Sequence, residues 1–137
     1  MLKIRAKQKV LTVGSNKGKA CFVMSPVHYA ALTPEKVFTE AALRTGLPKA
    51  TIQAAWTGIG ELVEAWLCEG HRVPIPGMGN VRVGINAKTV VDVEDVKANL
   101  ITRRKVVFTP SAHIKRTLRN TEISITCYDQ DGQVVTP

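Results

Sequence analysis

The chain has 137 residues, of which 19 are Lys or Arg and 11 are Asp or Glu, so its formal net charge is +8. Since 45% of the residues are apolar, the sequence predicts a packed core and excludes wholesale disorder. The charge favours phosphate-bearing or other anionic partners, although basic ribosomal proteins and membrane-surface proteins share this property.

The cysteine content and the lengths of the apolar runs indicate the cellular compartment in which the protein is expected. Cys21, Cys68 and Cys127 show neither a paired nor a metal-ligand spacing, which argues against a disulfide framework or a zinc site. No apolar run has the length of a signal peptide or of a bilayer-spanning segment. We therefore expect a cytoplasmic protein without a membrane partner.

The charge is divided into zones along the chain. Residues 1–32 contain six basic and no acidic residues, and residues 33–71 contain three basic and five acidic residues. Residues 72–119 contain ten basic and three acidic residues, and residues 120–137 contain three acidic and no basic residues. The first zone is predicted to be β-structure, because apolar and basic residues alternate over residues 2–11 with the two-residue period of a strand. A loop at residues 14–19 then leads to residues 20–29, which predict a returning edge strand.

Two helices are predicted in the second zone. Thr33 is a suitable N-cap with Pro34 at the first helical position, and Gly46 ends this helix. Gly58 and Gly60, inside the longer helix over residues 48–69, predict close packing against another backbone. The longer helix carries apolar residues at spacings of three and four, namely Ile52, Ala55, Trp56, Ile59, Leu62, Val63, Trp66 and Leu67.

The remaining residues predict mainly β-structure. A short strand at residues 73–75 enters a Pro-Gly turn, and β-forming residues up to position 108, including residues 89–91, predict a long two-stranded arm. A short basic helix is expected over residues 112–118. Residues 122–128 and 132–135 flank a turn and predict a terminal hairpin.

Two sequence motifs, in this order, resemble the HU/IHF histone-like family of bacterial DNA-binding proteins. Residues 69–79, EGHRVPIPGMG, are similar to the family's G-x-x-V-x-I-P-G-F-G segment, with Met78 in place of Phe. Arg103-Arg104 followed by Phe108 and Pro110 is similar to the motif on the returning strand of the family's arm. The flanking segments resemble the extended HU-like variants of Bacteroides-type bacteria.

The resemblance implies an α+β fold and an HU/IHF-like intertwined homodimer, with a helical body, a three-stranded sheet and a β-arm that reaches around the DNA minor groove. In this interpretation residues 33–119 form the HU/IHF-like DNA-binding domain. Residues 1–32 form an N-terminal β extension, and residues 120–137 form a C-terminal β-hairpin extension.

The sequence departs from the family pattern at the tip of the arm. There the family has an Arg-Asn-Pro segment, whose proline wedges between base pairs. Residues 91–96 of this chain read VDVEDV, with three carboxylates and no proline. These carboxylates would repel phosphates, so the sequence argues against tight DNA bending by the tip.

The candidate DNA-binding residues are basic side chains of the arm and the last helix, namely Arg82, Lys88, Lys97, Arg103, Arg104, Lys105, Lys115, Arg116 and Arg119. Each group also has an explanation that involves no DNA. Residues 103–105 suit a solvent-exposed strand face, and the cations of the last helix lie near its C-terminus, where the helix dipole favours positive charge. The alternating cations at residues 3–9 suit either nonspecific DNA contact or protection of an edge strand, and the second is favoured. Trp56 and Trp66 are interpreted as core or dimer-seam residues.

No catalytic motif is present, because the sequence lacks a phosphate-binding loop, a dinucleotide fingerprint and any metal-ligand spacing of its three histidines. We therefore predict no enzyme activity, no cofactor, no metal and no small-molecule substrate. The leading hypothesis is a nucleoid-associated homodimer that binds double-stranded DNA largely without sequence specificity. The alternative is an HU-like dimer scaffold that has lost DNA bending and serves as a protein-interaction or structural module.

Overall fold

The computed structural model describes residues 1–137 and has an α+β fold with three α-helices and two β-sheets. The chain divides into two compact units. The smaller unit contains residues 1–31 and 117–137, and the larger unit contains residues 32–116. The elements in chain order are β1 (Leu2–Val10), β2 (Ala20–Pro26), α1 (Pro34–Thr45), α2 (Lys49–Cys68), β3 (Val73–Ile75), β4 (Gly79–Ala87), β5 (Ile101–Pro110), α3 (Ala112–Arg119), β6 (Ile123–Tyr128) and β7 (Val134–Val135).

The smaller unit is built on a four-stranded sheet with the order β2-β1-β6-β7. β1 pairs with β2 as an antiparallel hairpin, and its other edge pairs with β6 in parallel register, with Leu2 opposite Ile123. The two terminal segments of the chain therefore share one sheet. The interpretation of β1 as an edge strand is wrong, because β6 occupies its second edge, and the free edges belong to β2 and β7.

The larger unit begins with the two predicted helices. Thr33 accepts a hydrogen bond from the backbone N–H of Lys36 at 3.2 Å, as an N-cap does, and Gly46 ends α1 with a φ of 73°. α1 packs against α2, and α2 contacts β3 and β4 of a three-stranded sheet with the order β3-β4-β5. Neither α1 nor α2 buries a residue fully. No helix combines the length and the apolar character that crossing a bilayer requires.

The apolar stripe of α2 lacks a partner within the chain. Trp56 is 54% exposed and Trp66 is 44% exposed. The space beside Gly58 and Gly60 is open, so the close packing predicted there is not formed inside one chain. The accessible surface is 11380 Å², whereas a 14.9 kDa chain exposes about 7,000 Å² as one compact body and about 8,400 Å² as two.

The arm has shorter strands than the sequence predicts. β4 ends at Ala87 and β5 begins at Ile101, and residues 88–100 form an irregular tip with 3₁₀ turns at Val93–Asp95 and Ala98–Leu100. The strand predicted at residues 89–91 is therefore wrong. A tight hairpin turn needs residues with positive φ, and residues 88–100 contain neither a glycine nor any residue in that conformation. The chain reverses over a wider loop instead.

Gly79 marks the base of the arm. Its φ is 150°, and a side chain at this position would collide with the backbone carbonyl oxygen of Thr109 on the paired strand. Met78 on the preceding turn accepts a hydrogen bond from the backbone N–H of Ser111 at 2.8 Å. These contacts bring the β3–β4 turn against the end of β5, so the motif at residues 69–79 fixes where the arm starts.

Candidate nucleic-acid interface

The arm strands have one polar and one apolar face. In the antiparallel register, Asn86 lies opposite Arg103, Gly84 opposite Lys105 and Arg82 opposite Val107. Directly paired residues point to the same face of a sheet, and every second residue along a strand shares that face. Arg82, Arg103 and Lys105 therefore share one face. The side chain of Lys105 passes beside Gly84, where an added Cβ would lie 3.2 Å from its Cε.

Arg104 points to the opposite face. Its paired residue is Ile85, and the same face carries Val81, Val83, Val106 and Phe108. A groove of about 490 Å³ between α2 and the β4–β5 pair is lined in part by Glu64, Arg104 and Lys105. The register pairs Lys105 with Gly84 and so assigns its side chain to the face opposite that of Arg104. The basic run at residues 103–105 is therefore divided between the two faces, and Arg104 is separated from its neighbours. The alternation of Arg82 with Val81 and Val83 is the sequence signal that indicates this division.

The tip of the arm holds Lys88 and Lys97. Both line a depression of about 470 Å³ whose other lining residues include Val90, Val96 and Leu100. The backbone N–H of Lys88 donates to the carbonyl of Leu100 at 3.0 Å, which closes the neck of the tip. All residues of the VDVEDV segment, 91–96, are exposed, and its three carboxylates outnumber the two lysines. The electrostatic field of the tip is therefore less favourable for phosphate than that of the strands below it.

α3 follows β5 immediately and carries the last three candidates. The hydroxyl of Ser111 accepts from the backbone N–H of Ile114 at 3.3 Å, which caps the start of this helix. Lys115 and Arg116 lie in the larger unit and Arg119 in the smaller one. All three side chains are exposed.

The nine candidate cations share two properties that suit phosphate contact. Each of them is exposed, and none takes part in an ion pair, since the ion pairs of the chain are Lys49 with Glu35 and His71 with Glu69. A cation without a carboxylate partner keeps its full charge available to an anionic ligand. The structure brings Arg82, Arg103 and Lys105 together on one face and leaves the other six at the tip, on α3 or on the apolar face.

A comparison with protein families identifies the chain. The model of the HU-HIG family, described as an HU domain fused to a wHTH, Ig or glycine-rich motif, matches residues 4–124. The chain belongs to the HU-HIG family. This confirms the resemblance to HU proteins that the motifs at residues 69–79 and 103–110 indicate. A search of curated proteins found no match.

The fold of this HU-HIG chain also has a counterpart among solved structures. A crystal structure of a candidate bacterial DNA-binding protein from Bacteroides vulgatus ATCC 8482 aligns with a TM-score of 0.66 at 13% sequence identity. The alignment covers 91% of this chain and 49% of that chain, so this chain spans about half the length of its structural relative. At this identity, the likeness shows a shared fold.

Proposed function

We propose that this HU-HIG chain is a nucleoid-associated protein that binds double-stranded DNA as a homodimer, largely without reading base sequence. The observation that carries the proposal is the polar face of the arm, where Arg82, Arg103 and Lys105 lie together without ion-pair partners in a chain of the HU family. Such a face suits contact with phosphates, which fix position without carrying sequence information. The structural relative from Bacteroides vulgatus is itself described as a candidate DNA-binding protein.

The homodimer is supported by the amount of uncovered apolar surface. The chain exposes about 3,000 Å² more than two separate compact units of its size would. Obligate dimers commonly bury 2,000–5,000 Å² or more in total, and their interfaces resemble a domain core cut in half. The stripe that contains Trp56, Ile59, Leu62 and Trp66 has this character. The open space beside Gly58 allows a second backbone to approach α2 closely.

DNA bending by an inserted wedge is not part of the proposal. The exposed tip carries Asp92, Glu94 and Asp95 between its two lysines, and these carboxylates repel the phosphates on either side of a minor groove. We infer that the strands and α3 supply the affinity, and that the tip follows the duplex without entering the base stack.

The second candidate function is a protein-interaction or structural module built on the same dimer. The free edges of β2 and β7 favour it, because an unpaired strand edge is a template for another chain. This function needs no phosphate contact by the arm, so DNA affinity distinguishes the two candidates.

The test is a fluorescence anisotropy titration of a duplex of about 30 base pairs at several salt concentrations. If six phosphates are contacted, the plot of log K against log salt has a slope near −5. A nicked duplex of the same sequence reports whether a distorted shape is preferred. Absence of binding at low salt would remove the DNA-binding function and leave the protein-interaction module.

A further inference from the structure

The smaller unit carries a second cationic surface, which lies on β1. Lys3, Arg5, Lys7 and Lys9 occupy every second position of this strand, and all four side chains are exposed. Every second residue of a strand shares a face. We call this surface, formed by these four residues, the cationic sheet face.

The neighbouring strands complete the cationic sheet face with uncharged polar groups. In the register, Ser25 of β2 and Thr126 of β6 lie on either side of Arg5, and Tyr128 lies beside Lys7. No strand of this sheet contains an acidic residue. None of the four cations forms an ion pair. The four positive charges therefore have no compensating carboxylate within the sheet.

The three carboxylates of the smaller unit lie outside its strands. Glu122 precedes β6, and Asp129 and Asp131 belong to the turn before β7. The Asp129 carboxylate accepts from the backbone N–H groups of Asp131 and Gln133, both at 2.9 Å. Its hydrogen-bonding capacity is thus partly used within the turn. This arrangement leaves the middle of the sheet as a positive surface.

The cationic sheet face has a depression at its centre. Its volume is about 260 Å³, and it is lined by Arg5, Lys7, Tyr128 and Gly132. A guanidinium, an ammonium and a phenol are all donors to phosphate oxygens. At the other end of the strand, the Lys3 Nζ lies 5.9 Å from the centre of the Tyr29 ring, a cation–π contact that helps to position it.

The dimensions of the face suit a repeating polyanion. From Lys3 to Lys9 the strand advances by roughly 20 Å, because a strand rises about 3.3 Å per residue. Over that distance one strand of duplex DNA presents about six phosphates. The apolar groups on the same face are half-buried Cys21 and Val23 and the exposed Val134 of β7. Binding to a bilayer surface by insertion needs a larger set of exposed apolar side chains beside the charges.

We propose that the cationic sheet face binds the phosphodiester backbone of duplex DNA, as a second contact surface on a different unit from the arm. The choice of DNA as the partner rests on the proposed function above. The surface itself does not depend on the arm, since its charges, its register and its depression all lie within the smaller unit. The extensions then add affinity and footprint to an HU-like domain.

The test uses the full-length chain with Lys3, Arg5, Lys7 and Lys9 all replaced by Gln, and a 30-base-pair duplex titrated by anisotropy at several salt concentrations. If each of the four cations contacts a phosphate, the magnitude of the salt slope falls by about 3.6 for each protomer whose face contacts the duplex, and affinity near 100 mM salt falls at least tenfold. The matched control replaces Lys3, Lys7 and Lys9 by Arg, which keeps every charge and preserves both the slope and the affinity. Circular dichroism checks that the sheet remains folded.

A second variant guards against loss of fold. Replacing only Arg5 and Lys7 by Gln removes the cations at the depression, and it is expected to lower the magnitude of the slope by about 1.8 for each protomer whose face contacts the duplex. An unchanged slope in this variant and in the fourfold variant, with both folded, would overturn the proposal.

Two further outcomes separate this inference from the arm's function. If Arg103→Gln/Lys105→Gln leaves DNA binding intact while the sheet variants lose it, the arm function fails and the inference stands. A vesicle assay with phosphatidylserine provides the other comparison. If wild type binds vesicles, the fourfold variant does not, and the DNA slope is the same in both, the face belongs to an anionic membrane surface and the inference is overturned.

Discussion

β1 and β5 are both strands with several cations, but they place them differently. β1 has four cations at alternating positions, so all of them share one face of the sheet. β5 has three consecutive cations, and its register sends Arg103 and Lys105 to one face and Arg104 to the other. The number of charges in a strand is therefore a poor measure of its electrostatic field. The spacing decides how many charges a single ligand meets.

The opposite faces of the two strands are alike, because each carries exposed apolar side chains. Behind the cations of β1, Ala6 is buried, but Phe22 and Met24 on β2 are 51% and 66% exposed. Behind the cations of β5, the apolar face of the arm carries Val106 at 62% and Phe108 at 46% exposure. Both cationic strands therefore have an apolar face behind them that a single chain leaves largely uncovered.

The largest expected effect comes from breaking the proposed dimer. Replacing Leu62 by Asp puts a charge into the apolar stripe of α2, where each buried, unpaired carboxylate costs several kcal/mol. We expect the dissociation constant to rise at least a thousandfold, as measured by analytical ultracentrifugation. Glu61→Gln is the control on the neighbouring position and is expected to leave the mass unchanged. A Leu62→Asp protein of unaltered mass would contradict the homodimer.

The second prediction concerns the base of the arm. Gly79→Ala places a Cβ against the Thr109 carbonyl in a backbone conformation that L-residues rarely adopt, so it is expected to destabilise the larger unit by about 3 kcal/mol. Chemical denaturation followed by tryptophan fluorescence reports on this unit, which contains Trp56 and Trp66. Gly77→Ala is the matched control, because its φ is also positive but the space beside it is open, and it is expected to cost about 1 kcal/mol. Equal losses in the two variants would show that the collision at Gly79 is relieved.

The third prediction tests the division of charges on β5. Replacing Arg103 and Lys105 together by Gln is expected to lower the magnitude of the salt slope for duplex DNA by about 1.8 for each protomer whose arm contacts the duplex. Arg104→Gln, on the apolar face, is expected to leave the slope within about 0.3 of wild type, since its side chain points away from that ligand. If Arg104→Gln changed the slope more than the double substitution of Arg103 and Lys105, DNA would lie against the apolar face of the arm.

The smallest effect is expected at the tip of the arm. Replacing Asp92, Glu94 and Asp95 by their amides removes the repulsion between the exposed tip and phosphates. We expect a several-fold gain in affinity near 50 mM salt that disappears at high salt, because exposed charges are screened there. Anisotropy at both salt concentrations measures it. If the three substitutions left the DNA affinity unchanged at both salt concentrations, the tip would lie away from the duplex.

Local sequence patterns predicted the elements well where one period dominates. The alternation at residues 2–11, the spacing of apolar residues on α2 and the cap at Thr33 all correspond to elements in the structure. The prediction of a strand at residues 89–91 is wrong because it rests on β-propensity alone. Propensity takes no account of the turn residues with positive φ that a tight hairpin needs and that residues 88–100 lack.

Local sequence patterns do not predict which strands pair when they are far apart in the sequence. Nothing in residues 2–10 records that they pair in parallel with residues 123–128, because period two fixes the faces of a strand and not its neighbours. For the candidate interface, the list of basic residues followed from composition, but the separation of Arg104 from Arg103 and Lys105 required the register with β4. The family motifs therefore predict where the arm lies, whereas the β4–β5 pairing is needed to tell which side chains share a face.

The parallel pairing of β1 with β6 has a consequence for how the protein is made. The β1–β2 hairpin is local and can form early during synthesis, whereas its second edge stays bare until Ile123–Tyr128 has left the ribosome. A nascent chain interrupted before that point would carry an open strand, which invites association with other unfinished chains. β6 therefore covers an edge of β1 that stays open in any chain not yet translated through Tyr128.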